Sequence, residues 1–161
     1  MGAVGRLTTS ESPHLTREEL DLAPLLAAVA DPACGAQTVF LGTVRNRNDG
    51  REVVAIDYSA YESMATQVLA QIVAELEAAT PGLRMALSHR LGRVAVGEVS
   101  IAIVAASPRR DAALSAIREA LERVKSEAPI WKREFYADGD AVWREVEPLG
   151  PPLPDDRSGS S

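Results

Sequence analysis

Cysteine occurs once and histidine twice in the 161 residues, at Cys34, His14 and His89. One thiol excludes an intrachain disulfide, and so few ligand side chains cannot assemble a zinc-type cluster. Cys34 reads as a small buried or loop residue. Basic charge is also short: 17 Lys and Arg against 23 Asp and Glu give a formal net charge of −6 and a pI near 5.0. Nucleic-acid and anionic-membrane binders need an extended basic surface, so any cationic site must be local. Aromatic residues make up only 4% of the chain, which counts further against a nucleic-acid surface. No apolar run approaches the roughly 20 residues of a membrane helix, and residues 1–13 lack the apolar core of a secretion signal. A cytoplasmic protein is therefore expected. Gly2 does not open a myristoylation signal, because Arg6 stands where Ser or Thr is required. The chain carries no GxGxxG, no GxxxxGK[ST] and no Ser-His-Asp or Cys-His signature, so any enzymatic role must rest on lysine and arginine.

What is present, 46% hydrophobic and 25% charged residues, fits one globular domain with a sizeable core. Residues 1–13 are polar, and residues 148–161 (PLGPPLPDDRSGSS) are rich in Pro, Gly and Ser. Both ends are expected to lack fixed structure, leaving the domain within residues 14–147. After a short extended piece at 14–19, Asp21 and Pro24 mark a helix start, with Leu22, Leu25, Leu26 and Val29 as its apolar face. Residues 37–44 (QTVFLGTV) read as a strand in which Gly42 marks either a bulge or a packing need. A turn at 45–51 with arginines at the strand end leads to a strand at 52–58. A helix follows at 63–79, then strands at 84–91 and 98–106 joined across Gly92 and Gly97. Apolar residues occupy both faces of the strand at 98–106, which makes it central.

Ser107 and Pro108 read as N-cap and first residue of a long helix, placing Arg109 and Arg110 in its first turn. Cations there oppose the helix dipole by about 0.3–1 kcal/mol each, and a bound anion would relieve the conflict. The alternative is that both side chains extend into solvent. Leu114, Ile117, Leu121 and Val124 mark the helix's apolar face, with Lys125 at its edge. Pro129 stops the helix near Glu127. Beyond it, alternation puts Ile130, Lys132 and Glu134 on one strand face and Trp131, Arg133 and Phe135 on the other. Lys125 and Lys132, seven positions apart, would then converge on one cleft. Read structurally instead, Lys125 complements the helix dipole and Lys132 blunts a sheet edge. Asp138-Gly139-Asp140 forms a hairpin turn before a strand at 142–146, and offers too few oxygens for calcium.

VFLGTVRN ending in Arg45 and Asn46, SHRLG at 88–92, SPRRDA at 107–112 and VKSEAPIWKRE ending at Glu134 together resemble the large, catalytic subunit of molybdopterin synthase. The resemblance runs from about Leu15 to Glu147. It implies an α+β fold, an α/β hammerhead with an additional antiparallel sheet in a single compact domain. It also implies an enzyme that converts cyclic pyranopterin monophosphate into the dithiolene of molybdopterin, a sulfur transfer of molybdenum cofactor biosynthesis. Sulfur would come from the C-terminal thiocarboxylate of a small ubiquitin-like subunit. Two large subunits would form a central homodimer, completed to a heterotetramer by two small ones. Carried onto this chain, Lys125 and Lys132 match the family's active-site lysines, and Arg45 and Arg110 its anion-binding arginines. Arg109 stands where a histidine is often found, which keeps a cation but removes a group that titrates near neutral pH. In the family that helix start faces the neighbouring protomer's lysines. The implied step needs no metal or cofactor. Guanidinium and ammonium groups stabilise the negative charge it builds, and lysine also moves protons.

Two other classes fit the same cations. One is a non-catalytic module that holds a phosphorylated metabolite or an extended protein tail. The other is a small nucleic-acid-binding domain using Arg45, Arg47, Arg109 and Arg110, which the acidic balance disfavours.

Overall fold

Pairing partners sort the strands into two sheets. In the computed structural model, which describes residues 13–144, the elements run β1 (Leu15–Thr16), α1 (Leu22–Val29), β2 (Ala36–Thr43), β3 (Arg47–Asn48), β4 (Arg51–Ala60) and α2 (Glu62–Ala79). They continue with β5 (Arg84–Arg90), β6 (Gly92–Ala95), β7 (Val99–Ser107), α3 (Arg110–Glu127), β8 (Ile130–Tyr136) and β9 (Ala141–Arg144). The first sheet has the order β1-β5-β7-β2, and the second joins β3, β4, β8 and β9 in that order with β6 also paired to β4. Only β1 and β5 run parallel; every other pairing is antiparallel. This is the expected α+β domain with an additional antiparallel sheet. The expectations for residues 1–12 and 148–161, and for the strand beyond Arg144, lie outside the described residues.

β7 is the central strand its sequence anticipates. Ile101, Ile103 and Ala105 face α2 and α3, while Ala102, Val104 and Ala106 face α1. Asp21 caps α1, its carboxylate accepting from the Ala23 amide at 3.1 Å. A smaller core of Val44, Val53, Ile56, Val94 and Tyr136 belongs to the second sheet. The 45–51 turn is tighter than anticipated. β3 and β4 form a hairpin closed by Asp49 and Gly50, both at positive φ, as a two-residue turn requires. Residues 92–95, read as part of a connection, form strand β6 against β4.

Two expectations about α3 need correction. Ser107 does not cap it; it ends β7, paired with Ala36, and its hydroxyl accepts from the Arg109 amide at 3.4 Å. Pro108 is wedged beside two glycines, since a Cβ on Gly82 would meet its ring at 3.0 Å and one on Gly35 its carbonyl oxygen at 3.0 Å. Packing thus keeps Ser107 and Pro108 out of the helix. Arg109 becomes the N-cap, without a side-chain cap bond, and Arg110 the first helical residue. The buried face is also rotated from the expected one: Ala113, Ala116, Ile117, Ala120 and Val124 are buried, whereas Leu114 is 55% exposed. Three alanines let the helix lie close to the sheet, and Leu121 is moved to the flank.

Candidate functional site

A cleft of about 410 Å³ opens where the two sheets meet. Its walls come from both sheets and α3, and include Phe40, Tyr58, His89, Leu121, Lys125 and Lys132. Lys125 reaches it from the last turn of α3, which ends at Glu127, one residue before the Ala128 C-cap. Lys132 reaches it from β8, where the alternation holds: Ile130 also lines the cleft and Glu134 is buried. Trp131 and Arg133 take the other face, the first meeting the Tyr61 ring edge-on at 4.9 Å and the second lying 5.4 Å from the Phe135 ring centroid. Two separate elements therefore bring the predicted lysines to one cavity. Gly42 lines it as well, and both of its anticipated roles are realised. The β2–β7 register shifts between Gly42 and Thr43, and a Cβ at Gly42 would approach the Ile101 side chain to 2.7 Å.

Behind Lys132 lies a polar network that sequence reasoning did not single out. The Glu134 carboxylate, with a side chain 4% exposed, accepts from Asn48 Nδ2 at 2.9 Å, Tyr136 Oη at 2.6 Å and Arg144 Nε at 3.2 Å. Lys132 Nζ stands 3.8 Å from its other oxygen. Burial alone would push the Glu134 carboxyl up. Hydrogen bonds from Tyr136 and Asn48, the Lys132 charge and the Arg144 bond outweigh burial and hold it below the usual range.

His89, which also lines the cleft, is 7% exposed and meets the Tyr58 ring edge-to-face at 4.9 Å. Its Nδ1 lies 2.8 Å from the Arg90 carbonyl, which can only accept, so Nδ1 carries the proton. Burial pushes the imidazole down to about 4, against a smaller opposing effect of that hydrogen bond. His89 is thus a neutral group in a cleft that two ammonium groups also line. Tyr58, opposite Lys132 in the β4–β8 register, has its phenol pushed up by burial.

The predicted arginines are not gathered with the lysines. Arg45, Arg109 and Arg110 are exposed, do not line the cleft, and form no ion pair among the described residues. Arg45 follows Val44, two residues beyond the cleft-lining Thr43. Arg110 lies at the far end of α3 from Lys125, fifteen residues and therefore about 22 Å along the axis. The aspartates of the β8–β9 turn hold Arg51, at 2.9 Å from Asp138 and 3.0 Å from Asp140.

The family model described as MoaE protein matches residues 15–127, which carry β1 through α3 and Lys125. The chain belongs to the MoaE family. Relatives include the molybdopterin synthase catalytic subunit 1 of Aedes aegypti, 40% identical over 81% of this chain and 86% of that one. The molybdopterin synthase catalytic subunit of Nostoc sp. is 41% identical over 84% and 83%. Among solved structures, molybdopterin synthase from Staphylococcus aureus superposes with a TM-score of 0.79 at 31% identity, covering 82% of this chain and 96% of that one. A complex of subunits 1 and 2 of molybdopterin-converting factor from Helicobacter pylori gives 0.65 at 26% identity, over 80% and 87%. Two of these relatives are thus catalytic subunits of molybdopterin synthase.

Within this MoaE chain, Thr43, Tyr58, His89 and Ser100 are polar residues lining the cleft that sequence reasoning passed over, and Asn48 is one in the network at Glu134. Tyr58 and Asn48 sit in segments read only as strand and turn; the place of Tyr58 beside Lys132, and the contact of Asn48 with Glu134, depend on β4 pairing with β8 and β3. His89 carried a signal, being one of two histidines and inside the SHRLG motif.

Its burial sets a stability test. The folded chain keeps His89 neutral down to about 4, whereas the unfolded chain takes up that proton near 6.5. Between those values the unfolded state binds more protons, so stability must fall as pH falls. From pH 7 to pH 5 the expected loss is about 2 kcal/mol, above the range where carboxylates such as Glu134 contribute. Urea unfolding at the two pH values should show it in the wild type and much less of it in His89→Gln. Equal pH dependence in both proteins would show that another group is responsible.

Proposed function

We propose that this protein is the catalytic subunit of a molybdopterin synthase, transferring sulfur to cyclic pyranopterin monophosphate to form the molybdopterin dithiolene. The sulfur donor is the C-terminal thiocarboxylate of a small ubiquitin-like subunit. The observation that carries this reading is the arrival of Lys125 and Lys132, from two different elements, in one cleft of a MoaE-family chain. Thiolate addition and opening of a cyclic phosphate both build negative charge, and ammonium groups already in position stabilise it. The partly apolar walls, among them Phe40, Ile101, Leu121 and Ile130, suit an extended glycine-ended tail that buries backbone beside them. The chemistry proceeds in the cytoplasm and calls for no resident metal. The complex of the two subunits in the Helicobacter pylori relative supports a small-subunit partner. Incubating the protein with thiocarboxylated small subunit and precursor, then assaying the dithiolene, tests the proposal. Binding of precursor and tail without turnover would favour the alternative of a non-catalytic module.

The separation along α3 supports a homodimer. A small precursor cannot span about 22 Å from Lys125 to Arg110 of the same helix, so a shared site for these residues needs a second copy. Arg109 and Arg110 of one protomer then supply anion contacts beside the lysines of the other, with Arg45 joining from the end of β2. Two small subunits complete a heterotetramer. Sedimentation at micromolar concentration should give a dimer alone and two bound small subunits per dimer; a monomer in both states would count against it. Arg110→Ala should leave fold and dimer intact and weaken precursor binding by about 1.5–3 kcal/mol, the value of a charge-assisted contact. Unchanged precursor affinity in a folded dimer would remove Arg110 from the site.

A further inference from the structure

The cleft lining holds two chemically opposite kinds of polar group. Lys125 and Lys132 can only donate hydrogen bonds, which suits phosphate and thiocarboxylate oxygens. His89 is its counterpart. Because Nδ1–H is committed to the Arg90 carbonyl, Nε2 is a bare lone pair that can only accept. No partner to Nε2 is present among the described residues, and His89 lines the cleft, so Nε2 is open to a ligand there. The Ser100 hydroxyl, which also lines the cleft, is directed to the Gly42 carbonyl at 3.2 Å, the Tyr58 hydroxyl is engaged with Ser100, and the Tyr58 ring meets the imidazole edge-to-face. The imidazole is therefore locked in tautomer and orientation, with its acceptor left over.

Building on the proposed synthase function, we propose that His89 is a specificity-determining residue whose Nε2 accepts a hydrogen bond from an uncharged N–H or O–H donor of the pterin precursor. The phosphate of that substrate carries acceptors alone and belongs with the lysines and arginines, whereas the pterin ring carries N–H donors that no lysine can receive. A phosphorylated ligand without such a donor would leave Nε2 unpaired and be rejected, the usual basis for discrimination by a buried polar group. Burial supports the assignment from a second side, since it keeps the ring neutral across the working pH range and prevents it from becoming a donor.

Two variants separate this role from a structural one. His89→Asn retains a donor near the position of Nδ1, able to serve the Arg90 carbonyl, but has no acceptor at the position of Nε2. His89→Gln does the reverse. Binding of cyclic pyranopterin monophosphate is measured by calorimetry, alongside melting temperature and small-subunit affinity. The expected result is a roughly tenfold loss of precursor affinity in His89→Asn, substantial recovery in His89→Gln, and unchanged small-subunit affinity in both. Should affinity instead follow the Arg90 bond, with Asn near wild type and Gln impaired, His89 is a structural residue and the inference is wrong. Ring 15N spectra of the wild-type protein provide a reading that needs no variant, because only two histidines contribute. The unprotonated Nε2 signal of His89 should shift on adding precursor, and an unmoved signal under saturation overturns the inference. A wild type that neither binds precursor nor forms product brings down the synthase reading and this one with it. A wild type that binds while His89→Asn binds equally well brings down only the role of His89.

Discussion

Lys125→Ala is expected to fold, dimerise and bind the small subunit while forming product roughly 100-fold more slowly, or worse. Lys125 is exposed, lies in the last turn of α3 and makes no ion pair among the described residues, so its loss removes only a favourable dipole interaction. That costs about 1 kcal/mol at most. A proton-transferring or charge-stabilising group costs far more in rate than in stability, and the two readings therefore separate cleanly. A variant with wild-type melting temperature and near-normal turnover would identify Lys125 as a dipole-complementing surface residue. Lys132→Ala should share the kinetic defect, with an added structural effect because its ammonium lies 3.8 Å from Glu134.

For Glu134→Ala the expected damage is to the fold itself. Removing this carboxylate takes an acceptor from Asn48 and Tyr136 and the nearest anion from Lys132, while Arg144 keeps Asp49 at 3.1 Å and the Tyr136 hydroxyl at 2.7 Å. Leaving a buried polar partner such as the Tyr136 hydroxyl without its acceptor costs about 1–3 kcal/mol, which for a domain of this size lowers the melting temperature by roughly 4–12 °C. Glu134→Gln keeps the volume and a route to Tyr136, so it should melt at an intermediate temperature. The sign of the pH dependence follows from the depressed carboxyl. Its stabilisation is present above the ordinary carboxylate range and is lost as pH falls through the lower folded value. This acid loss begins near the ordinary carboxylate value, below the pH 7 to pH 5 interval of the His89 test. Differential scanning at pH 7 and at pH 4 measures both, and a Glu134→Ala protein melting within a few degrees of wild type would show that the network contributes little.

Much of the site was legible wherever one local rule governed a residue. Pro129 ended α3, alternation in β8 put Lys132 and Glu134 on one face, and apolar residues on both faces of β7 marked it as central. What escaped depended on partners distant in the chain. Pro108 looks like a helix start until Gly35 and Gly82 are seen beside it. The buried face of α3 was misjudged because Leu114 and Leu121 outweigh alanine on any hydrophobicity scale, although the alanines make the closer contact. Residues 92–95 are too short and mixed to announce a strand before β4 offers them an edge. Arg109 and Arg110 remained apart from Lys125 for a further reason: that distance is a property of helix length, which no single-chain rearrangement shortens.

The alanine face of α3 also bears on how this enzyme can change over evolutionary time. Ala113, Ala116 and Ala120 act as spacers that set the depth of a rod whose far end carries Lys125. Enlarging any of them would lift the rod from the sheet, since an overfilled core accommodates added methylenes by backbone shifts. The reach of the lysine is thereby tunable by residues that never touch a substrate. Substitution at any of these three positions is expected to move Lys125 relative to the cleft, and their chemistry alone would never mark them as functional.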